Sequence, residues 1–132
     1  MYDLLVEKSI EAKKTAVPTY SNFHVGAALL TSDDKIYFGG NIEISSYGLT
    51  LCAERTAVFK AVSEGERNFK AISIASDLEG YCPPCGACRQ VLLDLCGPDI
   101  DVIMVNSKNE KKMFKLNELI PFSFTEELLK RE

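Results

Sequence analysis

Cys85-Gly86-Ala87-Cys88, read together with Cys52-Ala53-Glu54 upstream, constrains this chain more than any other stretch. Cysteines three apart in the first turn of a helix lie on one face and present both sulfurs to one point. Cys52 opens a second predicted helix, so two helix N-termini aim three thiolates at one ion. Three protein ligands leave one corner of a tetrahedral zinc open to water, as in catalytic sites, whereas structural sites close with four. Glu54 is surplus to that ligand set. A carboxylate there can take a proton from the metal's water and deliver it to a substrate nitrogen. The reading is one Zn²⁺ per chain on Cys52, Cys85 and Cys88, with Glu54 as the catalytic residue. Three thiolates on Zn²⁺ leave a net charge of −1, which weakens it as a Lewis acid. Arg55, directly after Glu54, is the candidate to draw charge back off the sulfurs.

With 132 residues the chain fits one domain, 1–132, and its 46% apolar content is that of a globular protein. Fifteen basic against nineteen acidic residues give a net charge of −4. Nucleic-acid binding draws on Lys and Arg to neutralise phosphates. The basic cluster from Lys108 to Lys112, with Lys115, reads as a solvated hairpin turn, so no nucleic-acid partner is expected. Apolar runs are too short to span a bilayer. Met1-Tyr2-Asp3-Leu4-Leu5 lacks the basic and apolar regions of a signal peptide. The expectation is a cytoplasmic protein with no membrane partner. Cytosolic chains rarely keep disulfides. Of the five cysteines, three go to the metal, Cys96 reads as a buried small apolar residue, and Cys82 is left over.

Leu4, Leu5, Ile10, Ala12 and Ala16 recur at roughly helical spacing, and Val17-Pro18 ends that helix. Phe23 to Thr31 suits a strand buried on both faces. Ser32-Asp33-Asp34-Lys35 is turn chemistry, and Ile36 to Gly40 returns as the second arm of a hairpin. Gly39-Gly40 beside Asn41 suggests a close backbone approach. A helix from about Cys52 to Ser63, with Val58, Phe59, Ala61 and Val62 for the core, stops at Gly65. Strands are predicted at 71–75, 100–105 and 113–116, a helix at about 86–95, and a brief helix over 118–120 capped by Asn117. The alternation points to an α/β fold, one mixed five-stranded sheet with helices on both faces.

The blocks Tyr20-Ser21-Asn22-Phe23-His24-Val25-Gly26-Ala27-Ala28-Leu29, Asn41-Ile42-Glu43, Cys52-Ala53-Glu54-Arg55-Thr56-Ala57 and Pro84-Cys85-Gly86-Ala87-Cys88-Arg89-Gln90, in this order, are a specific signal. Zinc deaminases carry a His or Cys followed by x-Glu and, later, Pro-Cys-x-x-Cys. The chain resembles the small cytidine deaminases of the all-cysteine zinc type over nearly its whole length. The resemblance implies a three-layer α/β/α fold and hydrolytic deamination of cytidine and 2′-deoxycytidine to uridine and 2′-deoxyuridine in pyrimidine salvage. It also implies that Asn41 and Glu43 grip the ribose 3′-hydroxyl, that Phe23 packs beside the base, and that the Ala53 N–H faces the base O2. It further implies that Arg55, the matching arginine, hydrogen-bonds the ligating thiolates. Four chains assemble in such deaminases, and a C-terminal phenylalanine from a neighbour closes each pocket. Phe124 fits that place, with Phe122 the alternative, and Tyr47 matches a position near the interface.

Cys82-Pro83-Pro84-Cys85 departs from a family pattern that commonly has Ser before Pro-Cys. Two other readings attach to it: a thioredoxin-type redox pair, and a closed structural zinc site completed by Cys82. Neither accounts for Cys52-Ala53-Glu54-Arg55 or for Asn41 and Glu43. A deaminase of another aminopyrimidine nucleoside, of the blasticidin S type, shares length and zinc motifs. Asn41-Ile42-Glu43 and Phe23-x-Val25-Gly26 favour a plain ribonucleoside. His24, the single histidine, is expected to be exposed.

Overall fold

The computed structural model describes residues 1–124. Helix α1 spans Tyr2–Ala12 and buries Leu5, Val6, Ser9 and Ala12, whereas Leu4 faces outward. It stops short of the predicted Ala16. The chain tightens into a 3₁₀ turn over Lys13–Thr15, where the Thr15 hydroxyl donates to the Ala12 carbonyl at 2.7 Å. Strand β1 covers Val25–Thr31 and β2 covers Ile36–Gly40. β1 begins two residues later than predicted because side chains satisfy the two preceding N–H groups. Phe23 N donates to Ser21 Oγ at 3.1 Å, and His24 N to Asp77 Oδ2 at 2.8 Å. His24 is half-buried rather than fully exposed, its ring nitrogen 3.1 Å from the same carboxylate.

Helix α2 runs Ala53–Ser63, β3 Phe69–Ser76, α3 Gly86–Cys96, β4 Asp101–Val105, β5 Lys111–Lys115 and α4 Leu116–Leu119. In α2 the buried set is Ala53, Glu54, Ala57, Val58 and Ala61. Phe59, expected in the core, falls off that stripe and is exposed. Asn117 does not cap α4 but lies within it. Lys115 is the N-cap, and the Glu118 carboxylate accepts its N–H at 2.8 Å.

The sheet order is β2-β1-β3-β4-β5, antiparallel except for β3 with β4. The parallel pair is joined by α3, the crossover such pairing requires. Alternation along the strands builds two cores. Ala27, Leu29, Ile72, Ile74 and Val102 face α2 and α3, packing on Ala57, Val58, Ala61 and Leu92. Ala28, Leu30, Ala71, Ala75, Ile103 and Val105 face α1, packing on Leu5 and Val6. This is the expected three-layer arrangement. The outer edge, β5, carries Lys111, Lys112 and Lys115, charges that discourage further strand pairing. No helix of the described residues is long and apolar enough to cross a membrane.

Two glycines let the α1 layer close on the sheet. Gly26 and Gly40 face each other across β1 and β2. A Cβ on Gly26 would strike the Ser9 carbonyl and come within 2.5 Å of Lys13 N, and one on Gly40 would lie 2.5 Å from Ala16 N. The close approach expected at Gly39-Gly40 is therefore real, and it serves helix–sheet packing.

Candidate metal centre

Cys52 is the N-cap of α2 and Cys85 the N-cap of α3, so the two helices bring their N-terminal ends to one point. The Cys85 sulfur accepts the Cys88 N–H at 3.4 Å, which fixes the first turn of α3. The Sγ atoms of Cys52, Cys85 and Cys88 all lie within 4.8 Å of one another. Cys52 to Cys85 is 3.7 Å and Cys85 to Cys88 is 3.2 Å. Tetrahedral zinc with Zn–S bonds of about 2.3 Å spaces its sulfurs about 3.8 Å apart, so the soft, converging donor set fits Zn²⁺.

Arg55, the third residue of α2, turns its guanidinium back over this end. Its Nη2 donates to Cys52 Sγ at 3.5 Å and to the Thr50 carbonyl at 3.3 Å. Its Nε is buried and has no hydrogen-bond partner among the described residues. The Cys52 thiol is drawn down to about 5, first by the hydrogen bond from Cys88 and then, against burial, by Arg55 and Cys85. Cys88, as the donor of that pair and in its buried place, is pushed up. Such a set deprotonates together only when a cation shares it. Glu54 is 5% exposed, and burial, helped by the nearby Cys52 charge, pushes its carboxyl up to about 7.

A cavity of about 250 Å³ opens beside the sulfurs, walled by Val25, Asn41, Glu54, Ile74, Cys82 and Cys85 among others, including Glu43 and Ala53. Asn41 and Glu43 reach it through a pairing that sequence patterns do not reveal. Ile42 makes bridges to Val17 on one side and Leu51 on the other, with Ile42 N to Leu51 O and the reverse bond both at 2.9 Å. Residues 41 and 43 then share the opposite side of an extended segment, next to Cys52. The Asn41 side chain bonds backbone, accepting from Val25 N at 2.9 Å and donating to the Phe23 carbonyl at 3.0 Å. Glu43 Oε1 accepts from Tyr20 N and Ser21 N, each at 2.9 Å, and Oε2 accepts from the Ser21 hydroxyl. Those bonds hold its carboxyl below the usual range, the Ser21 hydroxyl first. Ala53, first residue of α2, has an N–H with no intrahelical acceptor.

Phe23 and Phe124 are not among the described residues lining this cavity. Phe23 is half-buried with its carbonyl on Asn41. Phe124 and Phe122 are 55% and 108% exposed. Tyr47 is also exposed; it lines a neighbouring cleft with Tyr20, Ser21, Glu43 and Thr50, its ring 5.8 Å from that of Tyr20. Thr50, Leu51 and Ile74 line the cavity without having been singled out. The only signal for the first two was their place directly before Cys52.

Cys82 stands in the cavity wall but outside the three-sulfur cluster, its thiol 3.8 Å from the Pro83 carbonyl. Among the described residues no fourth ligand closes the site. Burial raises the Cys82 thiol, the reverse of the activated thiolate of a redox pair. Cys96 is half-buried and pushed up to about 12 by burial, as suits an inert core thiol.

Residues 2–104 match the family described as the cytidine and deoxycytidylate deaminase zinc-binding region. The chain is 48% identical over 124 residues to cytidine deaminase of Halalkalibacterium halodurans, covering 94% of both. It is 47% identical over 123 residues to cytidine deaminase of Sporosarcina psychrophila, covering 93% of this chain and 90% of that one. The crystal structure of cytidine deaminase from Burkholderia pseudomallei superposes with a TM-score of 0.91 at 41% identity, covering 94% of this chain and 99% of the other.

Proposed function

The chain belongs to the cytidine and deoxycytidylate deaminase family, and from that premise we propose that it hydrolyses cytidine and 2′-deoxycytidine to the uridine nucleosides and ammonia. The observation that carries this is the meeting of three cysteine sulfurs at two helix N-termini, with a buried Glu54 beside them on the wall of one cavity. Cys52, Cys85 and Cys88 would hold the zinc, which would supply the Lewis acidity that makes water nucleophilic near neutral pH.

The remaining work falls to this chain's own side chains. Glu54, with its carboxyl near 7, suits both halves of a proton relay at physiological pH. It takes a proton from the attacking water and places it on ring N3. It then passes the second proton to the amino nitrogen as the C4–N bond breaks and ammonia leaves. Burial excludes bulk water, so that proton goes to substrate and not to solvent. Arg55 withdraws charge from the Cys52 sulfur. The Ala53 N–H meets the base O2, while Glu43 and the remaining amide valences of Asn41 meet the ribose 3′-hydroxyl. Phe23, placed by Asn41, supports the wall behind the base. Relatives at 47–48% identity are named cytidine deaminases, which favours cytidine over a blasticidin S-type substrate.

The protein works as a homotetramer in the cytoplasm, within pyrimidine salvage. Exposed Tyr47, Leu49, Phe122 and Phe124 support the assembly, since a monomer gains nothing from such a display. Phe124 closes a neighbour's cavity. Loss of ultraviolet absorbance on mixing pure protein with cytidine tests the activity, repeated after zinc removal and re-addition. Glu54→Gln keeps the shape and removes the proton carrier, so kcat should fall by at least about 100-fold with zinc content unchanged. Near-normal turnover in that variant would refute the mechanism.

A further inference from the structure

Arg89 and Gln90 follow Cys88 on α3; Arg89 reaches the end of α4 and Gln90 the segment beyond it. Arg89 Nη1 donates to the Leu119 carbonyl at 2.5 Å, and Gln90 Nε2 donates to the Phe124 carbonyl at 3.0 Å. These two acceptors bracket the turn that follows α4. Ile120 leaves the helix at φ −141°, ψ 62°, and Phe122 sits at φ +50°, a region a bulky side chain rarely adopts. Arg89 also faces the other way, its Nε donating to the Pro84 carbonyl at 2.8 Å. Pro84 is fully buried and directly precedes the ligand Cys85. One guanidinium thus joins the ligand turn to the end of α4, and the next residue joins the same helix to Phe124. Gln90 also lies 3.3 Å from Asp94 Oδ1, which orients its amide along α3.

We propose that Arg89 and Gln90 are positioning residues, a two-point clamp that fixes the Ile120–Phe124 segment on α3 and ties it to the Cys85 turn. The clamp presents the Phe124 ring at a set angle for the substrate pocket, and this rests on the reading above in which Phe124 meets substrate. Neither residue touches the reacting atoms. Their effect is on how well the pocket is closed, so it belongs in KM before kcat.

The test is a double-mutant cycle with cytidine as substrate, using Gln90→Leu, Phe124→Ala and the double variant, each checked for zinc content and thermal stability. Loss of one hydrogen bond to a backbone carbonyl predicts a KM rise of about two- to tenfold in Gln90→Leu, with kcat and zinc content within twofold of wild type. In the Phe124→Ala background the same substitution should change KM no further, because the ring it positions is gone. A damaged fold would instead lower kcat and stability together. If Phe124→Ala raises KM while Gln90→Leu does not, or if the two effects simply add, the clamp is overturned and the Phe124 reading stands. If neither variant changes KM, the Phe124 reading falls and the clamp with it. Arg89→Lys keeps the charge but cannot span both carbonyls, so it should raise KM and speed the extraction of zinc by a chelator. Unchanged extraction would overturn the link to the Cys85 turn.

Discussion

Arg55→Gln tests how a site of three thiolates stays effective. The guanidinium lies 3.5 Å from Cys52 Sγ. At an effective dielectric of about 20, two unit charges at that separation attract by about 5 kcal/mol before desolvation is counted. Holding the guanidinium half out of water offsets much of this, and a charge-assisted hydrogen bond contributes about 1.5–3 kcal/mol net. Glutamine cannot reach the sulfur with a charge. The Cys52 thiol, now drawn down to about 5 with Arg55 among the causes, should therefore rise and hold zinc less well. The expected loss of zinc affinity is roughly 10- to 150-fold, in line with other residues that support metal ligands. Competition with a chromophoric chelator measures it directly, and kcat/KM with saturating zinc separates retention from reactivity. Equal zinc affinity and equal kcat/KM in the variant would refute the argument, because the 3.5 Å contact would then be energetically silent.

Cys82→Ser should keep one zinc per chain and near-normal turnover, since the Cys82 sulfur lies outside the ligand cluster; loss of metal would reinstate a fourth ligand. Gly26→Ala should destabilise by about 1–3 kcal/mol, because the new methyl meets backbone at Ser9 and Lys13. Thermal melting should then show a drop of several degrees. Asp101 accepts from Tyr2 Oη at 2.6 Å and from Lys115 Nζ at 2.7 Å. Burial raises its carboxyl, but those two partners more than offset it and leave it below the ordinary value, while the Tyr2 hydroxyl is pushed up to about 12, burial first. A depressed carboxylate stabilises fully above its unfolded value of about 3.9 and stops doing so as the pH falls through the folded value. Asp101→Asn should thus cost about 1–2 kcal/mol in denaturant unfolding at pH 7, and the gap should close in acid below about pH 4. A constant gap across that range would contradict the linkage.

Much of the sheet was legible because its strands alternate or run apolar between clear turns. β2 matches the predicted span, and α2 and α3 match within a residue or so at either end. Misses occur where a side chain satisfies the backbone in place of a neighbouring strand or turn. Asp77 and Ser21 do this for His24 and Phe23, and Glu118 does it for Lys115. Phe59 was misplaced because apolarity was counted without the helical angle, and α2 buries small residues against the sheet.

The candidate ligands and Glu54 are set by local spacing. Spacing of three along a helix start places Cys85 and Cys88 together, and adjacency places Glu54 and Arg55 beside Cys52. Residues alone therefore suggest the chemistry proposed above. Pocket shape is not local. Asn41 and Glu43 share a cavity with Cys52 and Cys85 because Ile42 pairs with Val17 and Leu51, and the two helix ends meet because α2 and α3 pack on the same face of the sheet. Contacts of that kind depend on chain segments far apart in sequence, whose meeting is decided by packing and by where backbone N–H groups find acceptors. Composition and spacing carry no record of either.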